Sequence, residues 1–210
     1  MPYREAWDLQ ASFQRKLIEE KLQVRNGAVI DEPSPDLLLF AEHPHVFTLG
    51  KSGDASHLLQ ASAEFVKIDR GGDITYHGPG QVVGYPILDL DRHYTDIHRY
   101  LRELEEVIIR VCAEYGITAG REAKLTGVWV DGAKICAMGI KCSRWVTMHG
   151  FALNVNTDLG YFGHIVPCGI TDKPVTSLHA LLGREVDPEE VKARILRHFS
   201  EVFNTRILQP

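Results

Sequence analysis

The stretch RGGDITYHGPGQVVGYPILDL, residues 70–90, most narrows what this chain can fold into. Gly71, Gly72, Gly78, Gly80 and Gly84 are interleaved with Arg70, Thr75, Tyr76 and His77, and the stretch runs directly into a nearly continuous apolar segment. An apolar run of this kind reads as a buried strand, and glycine removes the side chains that would hold a ligand away from the backbone. The pattern predicts a buried strand entered through a loop where a ligand lies against backbone N–H groups, which suit a carbonyl oxygen or a developing oxyanion. A phosphate-loop reading fails, because GxxxxGK[ST] is absent and GGDITYHGPG does not open a helix after a strand.

The rest of the chain supplies the frame. Residues 4–25 place Ala6, Leu9, Phe13 and Leu17 about one helical turn apart, with Asn26-Gly27 as a stop. LLLFAE and VFTLG read as strands on either side of the His-Pro-His corner at 43–45, and FVKIDR as a strand leading into the glycine stretch. A helix is expected from Asp96 to Tyr115, with Ile97, Leu101, Leu104, Ile108, Val111 and Cys112 on one face, which makes Cys112 a core residue. Asp131-Gly132 between two β-rich runs predicts a tight hairpin carrying Lys134 on its second strand. WVTMHGFALNV gives a bent strand or a strand pair, NTDLGYFGHIVPCGITDKP a long loop, and TSLHALLG a short helical turn. A last helix opens with Asp187 as N-cap, Pro188 at its first position and Glu190 placed for a capping box. This order predicts one α+β domain over residues 1–210, a mixed β-sheet flanked by helices.

Composition excludes whole classes of function. A hydrophobic fraction of 44% with 24% charged residues rules out a disordered or collagen-like chain. A net charge of -5 argues against a nucleic-acid binder, which needs a broad surplus of Lys and Arg. MPYREAWDLQASF lacks the apolar core of a signal peptide and no run is long enough to cross a bilayer, so a cytoplasmic protein without membrane association is expected. Cys136, Cys142 and Cys168 with His43, His45, His77, His149 and His164 show neither CxxC nor HExxH spacing, so no metal site is expected.

Nucleophilic chemistry is the stronger possibility. Cys168 lies in VPCGI between a stiffening Pro167 and an open Gly169, presented on a loop. A thiol of ordinary pKa, roughly 8.5, needs a cation or base beside it to react at neutral pH. Lys134 is one candidate, although alternation does not decide which face it takes; His77, His149 and His164 compete, and spacing does not choose among them.

RGGDITYHGPGQVVGYP together with GAKICAMGI, HGFALNV and VPCGI closely resembles the octanoyltransferases of lipoate biosynthesis, over about residues 37–182. The resemblance implies the fold of biotin and lipoate protein ligase catalytic domains. It also implies transfer of an octanoyl group from octanoyl-acyl carrier protein to a specific lysine of lipoyl domains. Those acceptors belong to 2-oxo acid dehydrogenase complexes and the glycine cleavage H protein. By the same resemblance Cys168 is the acyl-thioester nucleophile and Lys134 lowers its pKa and carries protons. Arg70, Gly71, Gly72, Asp73, Ile74, Thr75, Tyr76 and His77, with Ala137, Met138, Gly139, Gly150, Phe151 and Ala152, would line the acyl site. No cofactor is implied, and a monomer is expected. On this reading Gly78 and Gly80 open the acyl groove, and Lys51, Arg70, Lys141, Arg144 and Lys173 form a basic patch for the acidic carrier.

Overall fold

In the computed structural model, which describes residues 1–166 and 173–208, the chain opens with helix α1 (Tyr3–Arg25) and strands β1 (Leu37–Ala41) and β2 (Val46–Leu49). Strands β3 (Glu64–Lys67), β4 (Ile74–His77) and β5 (Gln81–Ile87) lead to helix α2 (Ile97–Glu114). Strands β6 (Val128–Val130), β7 (Ala133–Ser143) and β8 (Val146–Asn154) follow, then helices α3 (Leu178–Leu182) and α4 (Pro188–Val202). No helix among the described residues is long and apolar enough to cross a membrane.

The strands divide into two sheets where the sequence predicts one. A five-stranded antiparallel sheet has the order β1-β5-β8-β7-β6, and a three-stranded sheet the order β3-β2-β4, in which β2 runs parallel to β3 and antiparallel to β4. The break falls at the His-Pro-His corner, where Pro44 has no N–H to continue a ladder, so the chain leaves one sheet after Ala41 and enters the other at Val46.

Each face of the larger sheet has its own cover. On one face Leu104, Ile108 and Val111 of α2 and Val191, Ile195 and Phe199 of α4 form a common core with Ile135, Cys136 and Leu153. Each such aliphatic side chain withdrawn from water contributes roughly 2 kcal/mol. Cys112 is core, as expected. On the other face α1 lays Ala6 against Val83, Tyr85 and Ala152, and Leu17 against Ile87 and Val146. The buried stripe of α1 is Tyr3, Ala6, Gln10, Gln14 and Leu17, and Leu9, expected inward, is exposed. The glutamines are buried because β8 offers them partners: Gln14 Nε2 donates to the Val146 carbonyl at 2.9 Å, and Gln10 Oε1 accepts from His149 N–H at 2.9 Å. His149 has φ 62, a left-handed backbone inside a strand.

The Asp187 cap forms where the sequence places it, and Asp96 caps the helix whose start it marks. Asp96 accepts from Arg99 N–H, and Asp187 accepts from Glu189 N–H with Pro188 behind it. Glu190 pairs with Arg194 along the helix instead of closing a capping box. Asp131 (φ 48) and Gly132 (φ 78) form the two-residue hairpin turn, which puts Trp129 opposite Lys134 before a bulge shifts Val128 to Cys136.

Candidate functional site

The loop at residues 69–72, two of them glycines, joins the two sheets. Gly71 N–H donates to the Ile140 carbonyl of β7 at 2.8 Å, and Asp69 receives Lys141 Nζ at 2.6 Å and His149 Nε2 at 2.9 Å. Toward the smaller sheet, Arg70 is buried and its Nη2 donates to the carbonyl and hydroxyl of Thr48 at 2.8 and 3.1 Å. A Cβ at Gly139 would lie 3.0 Å from Arg70 Cδ and from the Gly71 carbonyl oxygen, so glycine there lets loop and strand close.

Beneath this joint lies a cavity of about 310 Å³, within the range of small-molecule sites. From the glycine stretch, Arg70, Gly71, Gly72, Asp73, Ile74, Thr75 and His77 line it. From the paired strands come Ala137, Met138 and Gly139 of β7 and Gly150, Phe151 and Ala152 of β8, brought side by side by the register Ala137↔Ala152, Met138↔Phe151, Gly139↔Gly150. Tyr76 is the exception among the expected lining residues. It lies on the opposite side of β4, packed with Phe47 and Phe162 and stacked on Tyr161 at 5.0 Å, with its hydroxyl 2.7 Å from His45 Nδ1. Alternation along a short strand turns it away from the residues beside it.

Gly78 and Gly80, expected to open the groove, do structural work instead. A Cβ at Gly78 would overlap the Tyr76 hydroxyl at 1.9 Å. Gly80 holds φ 77 with the Asn156 carbonyl oxygen 2.5 Å from where its Cβ would be. The expected basic patch does not form as drawn either: Arg70 is buried, Lys141 is paired with Asp69, and Lys173 with Glu122.

Lys134 lines the cavity while the next residues, Ile135 and Cys136, both enter the core. The bulge opposite Val128 and Trp129 breaks the two-residue alternation and permits this. The Lys134 backbone also receives the returning chain: its N–H donates to the Pro174 carbonyl at 2.9 Å and its carbonyl accepts from Thr176 N–H at 3.0 Å. Cys168 lies outside the described residues. Of the other thiols, burial pushes Cys112 up to about 12 and also raises Cys136 and Cys142, so all three are held neutral.

The competing histidines differ in setting. His77 is buried, hydrogen-bonded through Nδ1 to Gln81 Oε1 at 2.8 Å and stacked on Tyr3 at 5.6 Å; burial, with His43 nearby, lowers it to about 3. His149 lines the cavity and is lowered by burial against the opposing pull of Asp69, whose own carboxyl is held well below the carboxylate range by the His149 hydrogen bond and Lys141. His164 is instead bound to the Ser62 hydroxyl at 2.6 Å, beside Phe47 and Tyr161. Tyr3, Tyr85, Leu101 and Phe162 also line the cavity; the sequence pattern gives none of them a place at the site, although Tyr85 lies in the glycine-rich stretch and Leu101 on the apolar face of α2. Tyr3, Leu101 and Phe162 carry no local signature beyond being apolar or aromatic.

The profile of the Lipoyl protein ligase A/B catalytic domain family matches residues 2–200. An octanoyltransferase of Christiangramia forsetii is 53% identical, with 98% of this chain and 93% of the relative aligned. One from Flavobacterium psychrophilum is 54% identical, covering 98% and 94%. Among solved structures, a bi-partite lipoate protein ligase from Thermoplasma acidophilum superposes with TM-score 0.70 at 17% identity, over 97% of this chain and 82% of that one. A biotin protein ligase from Aquifex aeolicus superposes with TM-score 0.53 at 17% identity, over 76% and 70%. At such identities the structural likeness speaks for the fold alone.

Proposed function

We propose, from the premise that this chain belongs to the lipoyl protein ligase A/B catalytic family, that it transfers an octanoyl group to a lysine of lipoyl domains. It is an acyltransferase, and its donor is octanoyl-acyl carrier protein. The observation that carries this reading is the convergence of Lys134 with three separated motif segments on one apolar-walled cavity.

Cys168 thiolate attacks the octanoyl thioester carbonyl; the new C–S bond forms as the bond to the carrier thiol breaks, and Lys134 gives that thiolate its proton. The incoming lysine amine, neutral when it attacks, then displaces Cys168 as the amide forms, and Lys134 takes the proton released. The octanoyl chain lies along Met138, Gly139 and Phe151, with Thr75 and His77 on the facing wall. Both half-reactions balance without ATP or metal. Burial raises Cys112, Cys136 and Cys142 and so keeps those thiols neutral, which supports Cys168 as the nucleophile.

Intact mass after incubation with octanoyl-carrier protein, without ATP, tests this. An octanoyl adduct on Cys168 that apo lipoyl domain discharges is expected, and Cys168→Ser should abolish both adduct and transfer. Activity that needs ATP and survives Cys168→Ser would overturn the reading in favour of a ligase.

A further inference from the structure

We propose that Trp129 is a positioning residue for Lys134: its indole ring seats the lysine ammonium at the cavity wall, and Lys173 is a second cation on the same ring. The inference rests on the proton-carrying role of Lys134 proposed above. Lys134 Nζ lies 4.7 Å and Lys173 Nζ 5.0 Å from the Trp129 ring centroid. The short Asp131-Gly132 turn sets Trp129 directly across from Lys134, the position at which cross-strand side chains meet. Trp129 is only 4% exposed, so its ring meets the two lysines with little water around it.

The ring and the second lysine act in opposite directions on the proton. An aromatic face attracts an ammonium and not an amine, so it favours the protonated form of Lys134. Lys173, a like charge, favours the neutral form, and Glu122, 2.7 Å from Lys173 Nζ, tethers and partly offsets it. Among the described residues, other charged or titratable groups near Lys134 include Lys124, Arg70, Asp73, His77 and His149 on the cavity lining, Glu105 of α2 with its partner Arg121, and Cys136 on the same strand; Cys168 joins them under the proposed mechanism. A lysine that has given its proton to the departing thiol loses its attraction to the ring. It is thereby biased to recover a proton from the incoming amine, which the second half-reaction requires.

The test is titration of the Lys134 side chain by NMR in lysine-labelled full-length protein, its signal identified by its loss in Lys134→Arg. Trp129→Leu should lower the Lys134 pKa by about half a unit or more, and Trp129→Phe, which keeps a weaker face, by less. Lys173→Gln should raise it. Single-turnover octanoyl transfer to Cys168 should slow about tenfold in Trp129→Leu and be largely restored in Trp129→Phe, with KM for the carrier unchanged. An unaltered Lys134 titration in Trp129→Leu, or a Phe variant as defective as the Leu one, overturns the proposal. Should Trp129→Leu fail to fold, unchanged titrations in both Trp129→Phe and Lys173→Gln overturn it equally. If wild-type protein forms no octanoyl adduct while the Trp129 variants still move the Lys134 titration, the transfer reading falls and the positioning role stands.

Discussion

A methyl group at Gly150 would sit 2.2 Å from the Gly84 carbonyl oxygen and 2.6 Å from Pro86 Cδ, so Gly150→Ala must push β5 and β8 apart. It should cost roughly 1–3 kcal/mol, read as a lower urea midpoint. At Gly71 the nearest atom to an added Cβ is the Ile140 carbonyl oxygen at 3.4 Å. Gly71→Ala should therefore keep its urea midpoint and slow octanoyl loading, since that residue lines the cavity. A variant that loads at the wild-type rate would remove Gly71 from the acyl wall. His77 makes a separate prediction. Its folded pKa, about 3, lies below the ordinary 6.5, so as pH falls the unfolded chain takes the proton first. Its contribution is full above pH 6.5 and is lost from there down to about 3, at roughly 1.4 kcal/mol per pH unit. His43 and His149 are lowered too and act in the same direction. Thermal midpoints should fall between pH 7 and 4.5, and His77→Gln should show a shallower fall; equal slopes would assign the acid sensitivity to other groups.

Elements obey the sequence where short-range chemistry suffices and depart from it where a partner intervenes. Asp131-Gly132 is legible because few residue pairs accept two successive left-handed conformations. The turn joining β7 to β8 does the same with Arg144 (φ 50) and Trp145 (φ 63), residues that give no such signal, so its hairpin is not readable in advance. In α1 the apolar spacing points Leu9 inward, whereas the buried stripe carries Gln10 and Gln14 because β8 has polar groups to meet them. Gln14→Leu would add apolar surface to that stripe and still leave the Val146 carbonyl without this donor. Leaving a buried acceptor unmatched costs about 1–3 kcal/mol, so the urea midpoint should fall. A midpoint that rises would mean the hydrophobic gain outweighs the lost bond.

Across the whole molecule, the loop from Asp69 to Gly72 is the joint between two sheets that share no strand. Arg70→Met keeps the bulk of the side chain but removes the guanidinium bonds to Thr48 and Gly71. Amide hydrogen exchange should quicken in β2 and β4 with little change in α2 and α4. Equal acceleration in both regions would mean that the sheets open as one unit and that Arg70 is no separate joint. The α+β class, the helices, the Asp187 cap and the Asp131-Gly132 hairpin were determined by the sequence alone, because periodicity, capping and tight turns act over a few residues. The motif segments could be named from sequence for the same reason, each being locally distinctive. Only the tertiary structure decided that the strands form two sheets, that Lys134 faces the cavity while Tyr76 faces away, and that Gly78 and Gly80 serve packing. Those outcomes depend on a bulge, on cross-strand register and on backbone groups from distant segments, and such contacts leave no periodic trace along the chain.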